Sequence, residues 1–203
     1  MIIEMFGAPG SGKTTLCNKI EKDIDVKNIS ALYQEKFIPK IYMHIFWKNF
    51  FYKVDIKDKY EKICQILDYN NDVKMLVKFM LFAYFIEKKY QGKKILIDEG
   101  CIHYLVALYA EYNISFEKLE KIRNILYISD IKTIGINTEK KYIINNVKKR
   151  NRNRTRIDRL SDDEFSKLVD RYIEGVNYFR NYYPMYGVKE AEIKIKKILI
   201  EED

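Results

Sequence analysis

The chain has 203 residues, a formal net charge of +8 and 47% hydrophobic residues, enough to bury one full core and most simply read as one domain. Its three cysteines, Cys17, Cys64 and Cys101, stand far apart without a C-x-x-C pair, which argues against a disulfide framework and for reduced thiols in the cytoplasm. The longest apolar stretch, Val73 to Ile86, is too short to span a bilayer and carries Lys74 and Lys78, and the N-terminus has no basic region followed by an apolar core, so neither a membrane span nor a secretory leader is expected.

Met1 to Phe6 reads as a first buried strand and Lys13 to Asp23 as a helix. Between them Gly7-Ala8-Pro9-Gly10-Ser11-Gly12-Lys13-Thr14 fits G-x-x-x-x-G-K-[ST], the phosphate-binding loop, in the strand-to-helix setting the motif requires. Glycines let such a loop curl until its backbone N–H groups converge on an anion, and the helix adds its positive N-terminus. Lys13 is placed to meet the terminal phosphates of ATP, the Thr14 hydroxyl to ligate Mg²⁺, and Thr15 to complete the nucleotide-binding stretch.

Ser30 to Gln34 gives a weak second strand with Glu35 at its carboxyl end, the side of an open α/β sheet where ligands lie. Glu35 is a candidate base or hydroxyl-binding residue beside its reading as a surface carboxylate. Ile41 to Gln91 is expected to be helical in two or three pieces and is crowded with aromatics, among them Tyr42, Phe46, Trp47, Phe79, Phe82, Tyr84 and Phe85. Most read as core at helical spacing, yet a flat acceptor would find its aromatic wall only here. His44 reads as packed or solvated.

Gly92 ends this helical region, and Lys94 to Gly100 follows as a strand leading into Asp98-Glu99. An acid at a strand end is the second half of a phosphate-loop site, so Asp98 is the candidate Mg²⁺ partner. Glu99 is open between base, acceptor contact and helix cap, and Cys101 reads as a bystander. His103 to Tyr112 and Ser115 to Asn124 read as helices, the second capped by Ser115, and Ile125 to Ser129 as a further strand ending in Asp130. This alternation predicts an α/β three-layer sandwich, a parallel sheet with helices on both faces.

Asn137 to Val147 is expected to be helical. Lys148 to Arg159 then holds seven Lys and Arg against one acid, Asp158. Arginines two residues apart make no single helical stripe, so the run reads as a loop that aims several guanidiniums, Arg152, Arg154, Arg156 and Arg159, into one space. Guanidiniums suit phosphate oxygens and the charge that develops in phosphoryl transfer. A basic lid over about 148–163 is the leading reading; an RNA-binding or simply solvated stretch is the other. Ser161-Asp162-Asp163-Glu164 opens a helix through Phe179, and Ile193 to Ile200 is either strand or helix.

In order, these motifs resemble the thymidylate kinase and deoxynucleoside kinase branch of P-loop kinases along the whole chain. Arg154 to Arg159, with Phe165 and Val169 to Gly175, looks like that family's lid and following helix; Leu81-Phe82-Ala83, Gly92 and the strand to Asp98 look like the frame of its acceptor pocket. The resemblance implies ATP and Mg²⁺ as cofactors, γ-phosphoryl transfer to a small molecule, and a homodimer as a common assembly. Two departures stand out: Asp98-Glu99 replaces the Asp-Arg of thymidylate kinases, and Phe85 or Ile86 replaces an acceptor-binding arginine. Loss of both cations leans the acceptor toward a hydroxyl on a nucleoside, sugar or other metabolite.

The expectation is therefore an ATP- and Mg²⁺-dependent small-molecule kinase in which Glu35 or Glu99 meets the acceptor, with nucleic acid and membrane disfavoured as partners. The alternative is a P-loop ATPase or switch protein whose Glu99 activates water and whose basic run grips RNA. No N-K-x-D string is present, which argues against a guanine-specific GTPase. Intact Lys13, Thr14 and Asp98 argue against a non-catalytic binder.

Overall fold

The computed structural model describes residues 1–29, 54–150 and 157–201. In chain order its elements are β1 (Ile2–Phe6), α1 (Lys13–Asp23), β2 (Lys27–Asn28), α2 (Val54–Ile66), α3 (Lys74–Lys89), β3 (Ile95–Ile97), α4 (Cys101–Tyr112), α5 (Phe116–Ile125), β4 (Ile131–Asn137), α6 (Lys140–Arg150), α7 (Asp162–Phe179), β5 (Met185–Gly187) and α8 (Val188–Glu201). The strands form one sheet in the order β2-β3-β1-β4-β5, and every neighbouring pair is parallel. Ile2 to Glu4 of β1 pair with Ile95 to Ile97 on one side, and Ile2 to Phe6 with Ile131 to Gly135 on the other.

Side chains alternate across a strand, and central β1 is buried along its whole length. Ile3 and Met5 join Leu16, Cys17 and Ile20 of α1 and Ala191, Ile195 and Leu199 of α8 in one core. Phe6 joins the larger core of α2 to α5 and α7, and Ile2 a smaller one with Ile86, Ile95 and Ile97. Helices thus cover both faces of the parallel sheet, the expected fold class, and the loops after β1, β3 and β4 gather at one edge. Among the described residues no helix is long and apolar enough to cross a membrane.

Several boundaries differ from expectation. The apolar run Ile125 to Ser129 is not a strand: Ile125 closes α5, the Leu126 amide donates to the Ile122 and Arg123 carbonyls, and Tyr127 is exposed. The strand lies at Ile131–Asn137. A short apolar run does not distinguish a helix end from a strand, and Lys132, Thr133 and Gly135 conceal the true one. Asn137 consequently ends β4 rather than opening a helix, and α6 begins at Lys140. Lys148, Lys149 and Arg150 belong to the last turn of that helix, where cations meet the negative end of its dipole. Ile157–Arg159 forms a 3₁₀ turn, so the basic run is not loop throughout. Ser115 holds the cap position of α5 without a side-chain hydrogen bond. The undecided C-terminal segment is helical, as α8, and β5 went unpredicted. The strand expected at Ser30 to Gln34, Glu35, His44 and the first aromatic group lie outside the described residues.

Candidate functional site

Residues 7–14 form the expected turn between β1 and α1. Gly10 has φ +81°, and a Cβ there would meet Val147 Cγ2 at 2.8 Å and the Ile143 carbonyl at 2.9 Å, so the loop fits against α6 only as glycine. Asn146 Nδ2 donates to the Gly10 carbonyl at 2.9 Å, and Thr138 Oγ1 to the Ser11 carbonyl at 3.0 Å. The loop is therefore braced from outside by the segment that follows β4.

Lys13 is buried, and its ammonium donates to the Gly7 and Ala8 carbonyls at 2.9 and 3.1 Å and to Ser11 Oγ at 3.4 Å. Burial lowers its pKa; the charges of Asp98 and Glu99 raise it, and that of Arg150 lowers it. These three side chains are thus its electrostatic neighbours. Parallel pairing of β1 with β3 brings Asp98 to the loop, where the Thr14 hydroxyl donates to the carboxylate Oδ2 and Asp98 is fully buried. A hydroxyl and a carboxylate in contact below a lysine form an oxygen donor set suited to a hard divalent cation such as Mg²⁺.

Glu99 is open to water, yet protein surrounds it closely enough that desolvation is the first cause raising its pKa, followed by the charge of Asp98. Both facts describe a side chain in a concave cleft rather than on a convex surface. Lys13 and Arg150 counter the rise.

A groove of about 870 Å³ runs from Gly10, Ser11 and Thr15 past Asn137 to Tyr142 and Arg150 of α6 and Lys189 of α8. Arg150 belongs to the basic cluster but not to the four arginines expected to act. Arg159 is exposed on its 3₁₀ turn and does not line this groove. Arg152, Arg154 and Arg156 lie outside the described residues.

Two further residues near the site escaped sequence reasoning. His103 has its pKa lowered to about 3 by burial and by Lys13, against an opposing hydrogen bond with the Gly7 backbone, so it is neutral behind the loop. Glu4, three residues before Gly7, is a buried carboxylate in the middle of β1. Burial pushes the Cys101 thiol well up, in keeping with a bystander. In α3, Phe82 and Phe85 pack on the core, and Phe79 stacks with Tyr104 at 6.4 Å.

No protein-family model and no curated protein matches the chain. Solved structures do. Deoxyadenosine kinase from M. mycoides with products dCMP and a flexible dCDP bound is similar at a TM-score of 0.57 and 15% identity, over 100% of this chain and 98% of that one. The same kinase with bound dCTP gives 0.54 and 16% over 100% of both chains; with bound dATP it gives 0.53 and 16% over 100% and 98%. At such identities the likeness is one of fold, and this chain has the α/β fold of P-loop kinases.

Proposed function

We propose that this protein is an ATP- and Mg²⁺-dependent phosphotransferase of nucleoside or nucleotide kinase type. The observation that carries the reading is the convergence of Lys13, Thr14 and Asp98 at the ends of two neighbouring strands, with Glu99 next in the chain and open to the cleft. The loop amides and Lys13 hold the β and γ phosphates, and the 870 Å³ groove takes the rest of the nucleotide. Thr14 and Asp98 are the pair that would hold Mg²⁺, whose charge would offset that of the transferring phosphoryl group. Arg150 closes the groove from α6, with Arg152, Arg154, Arg156 and Arg159 as the basic lid over the reacting end.

Glu99 is the base in this proposal, and Glu35 the alternative from the other side. A carboxylate with a raised pKa takes a hydroxyl proton more readily than an ordinary one. Paired acids at the cleft floor, Asp98 and Glu99, also oppose an acceptor that already carries phosphate and favour a neutral hydroxyl. A nucleoside fits both the chemistry and the solved likeness to a deoxyadenosine kinase. A cytoplasmic setting is part of this proposal and is supported by three buried cysteines, none in a disulfide; the homodimer implied by the resemblance is read by sedimentation.

The test is turnover of ATP with Mg²⁺ against nucleosides, nucleoside monophosphates and sugars, with ADP and phosphorylated product measured separately. A product from one acceptor is expected, and Lys13→Ala should lower its kcat by at least about 10²-fold. ADP and free phosphate without product, indifferent to every acceptor, would replace this reading by an ATPase and make RNA the next ligand to try.

A further inference from the structure

Two carboxylates lie inside the apolar layer beneath the Asp98-Glu99 turn. Glu4, from β1, is 2% exposed, and Glu87, from the last turn of α3, is 1% exposed. Both reach the first turn of α4. The Glu4 carboxylate accepts the Ile102 amide at 2.6 Å and the Thr133 hydroxyl at 3.4 Å, and also the His103 amide. Glu87 accepts the Cys101 amide at 3.1 Å and the Cys101 thiol at 3.2 Å. Three of the open donors of a helix N-terminus are thereby held from the sheet and from α3 rather than by a local cap, for the cap residue is Gly100. Gly100 also rests directly on Glu4: a Cβ there would meet Glu4 Cγ and Cδ at 2.5 Å.

We propose that Glu4 and Glu87 are positioning residues for the reaction, a buried carboxylate pair that clamps the first turn of α4 and so sets Asp98 and Glu99 in the cleft. The role rests on the phosphotransferase reading, since neither side chain lies in the groove. An apolar pair would fill the space without desolvating two acids but would leave the Cys101, Ile102 and His103 amides without acceptors. A cavity of about 50 Å³ opens against both carboxylates and is also lined by Arg123, Thr133 and Tyr183, room for a water or two. The other titratable groups facing the pair are Tyr84 of α3, Cys101 of α4, Arg123 of α5, and Tyr127 and Tyr183 from the connections; Lys59 of α2 acts on the Cys101 thiol.

Burial raises both acids, Glu87 to about 7, and the charge of Glu87 raises Glu4 further. Glu87 holds its proton up to about 7, and as pH rises past that value its negative charge appears against the positive end of α4.

Glu87→Gln tests this, keeping the shape and the acceptor oxygen. Its kcat should fall about tenfold with the Michaelis constant for ATP within about twofold, and the limb of the wild-type kcat profile near pH 7 should vanish. The amide resonance of Cys101 should titrate with a midpoint near 7 in the wild type and not in the variant. Unchanged kcat, or the same amide titration in the variant, overturns the inference. The amide measurement needs no acceptor, so a wild type without product formation would sink the phosphotransferase reading while the resonance still decides the clamp. If Glu87→Gln does not fold, Thr133→Val carries the same two readouts: a kcat reduced about threefold and restored by Thr133→Ser supports the clamp, and wild-type values for both sink it.

Discussion

Arg150 shows how a single residue acquires meaning from its place. It stands at the end of α6, lines the groove beside the phosphate loop, and is close enough for its charge to act on both Lys13 and Glu99. If it meets charge that develops only during transfer, Arg150→Ala should lower kcat by about 10²-fold or more with little change in the acceptor Michaelis constant. Arg150→Lys should recover little of this, because an ammonium lacks the planar fork. Steady-state kinetics on the preferred acceptor decide it; a variant that weakens only nucleotide binding would make Arg150 a groove wall and no more. That Lys13 and Thr14 share one turn was legible because a phosphate loop is a local motif whose spacing encodes its geometry, and Asp98 was legible because an acid ends an apolar strand. Arg150 was not, since nothing in a basic run says where the helix carrying it stops.

Among the elements, α7 is the one whose start the sequence spelled out. Ser161 Oγ accepts the Glu164 amide at 3.3 Å, the Glu164 carboxylate accepts the Ser161 amide at 2.9 Å, and the first turn carries Asp162, Asp163 and Glu164. Below it Phe165, Val169, Tyr172, Val176 and Phe179 are buried at helical spacing. Ser161→Ala should cost about 1 kcal/mol and lower Tm by roughly 2–4 °C, read by calorimetry. No loss in stability would mean that the buried stripe alone sets this helix. The contrast with α5 is instructive: Ser115 occupies the cap position but makes no such bond. β4 was misplaced because Thr133 and Gly135 interrupt its apolar pattern, and both are explained by neighbours distant in sequence. Thr133 meets Glu4, and Gly135 lies against Met185 and Phe6.

On the scale of the whole molecule, two buried acids, Glu4 on the central strand and Glu87 on α3, link stability to pH. The folded protein holds the Glu87 proton up to about 7, whereas the unfolded chain releases it near 4.5. The stabilisation is therefore complete below about 4.5 and is lost as pH rises through about 7, a change of about 3 kcal/mol. Glu4, also raised, acts in the same sense. His103, held near 3, acts in the opposite sense: its contribution is complete above about 6.5 and is lost as pH falls toward 3. The clean measurement is the difference between wild type and Glu87→Gln in urea unfolding at pH 5 and pH 8. The wild type should lose about 3 kcal/mol relative to the variant between those values; a pH-independent difference would show that Glu87 titrates as an ordinary carboxylate.

The sequence by itself determined the phosphate loop, the helix Lys13 to Asp23, the acid after the third strand and the parallel α/β class, since each is written in local spacing and short-range propensity. Only the tertiary structure decided the strand order β2-β3-β1-β4-β5, the α6 brace on Gly10 and the meeting of Glu4 and Glu87 under Gly100. The brace on Gly10 joins residues 136 positions apart, and Glu4 and Glu87 stand 83 apart in the chain. Their partners are selected by packing of the finished sheet, and no periodicity along the chain records which distant side chain will fill a given space.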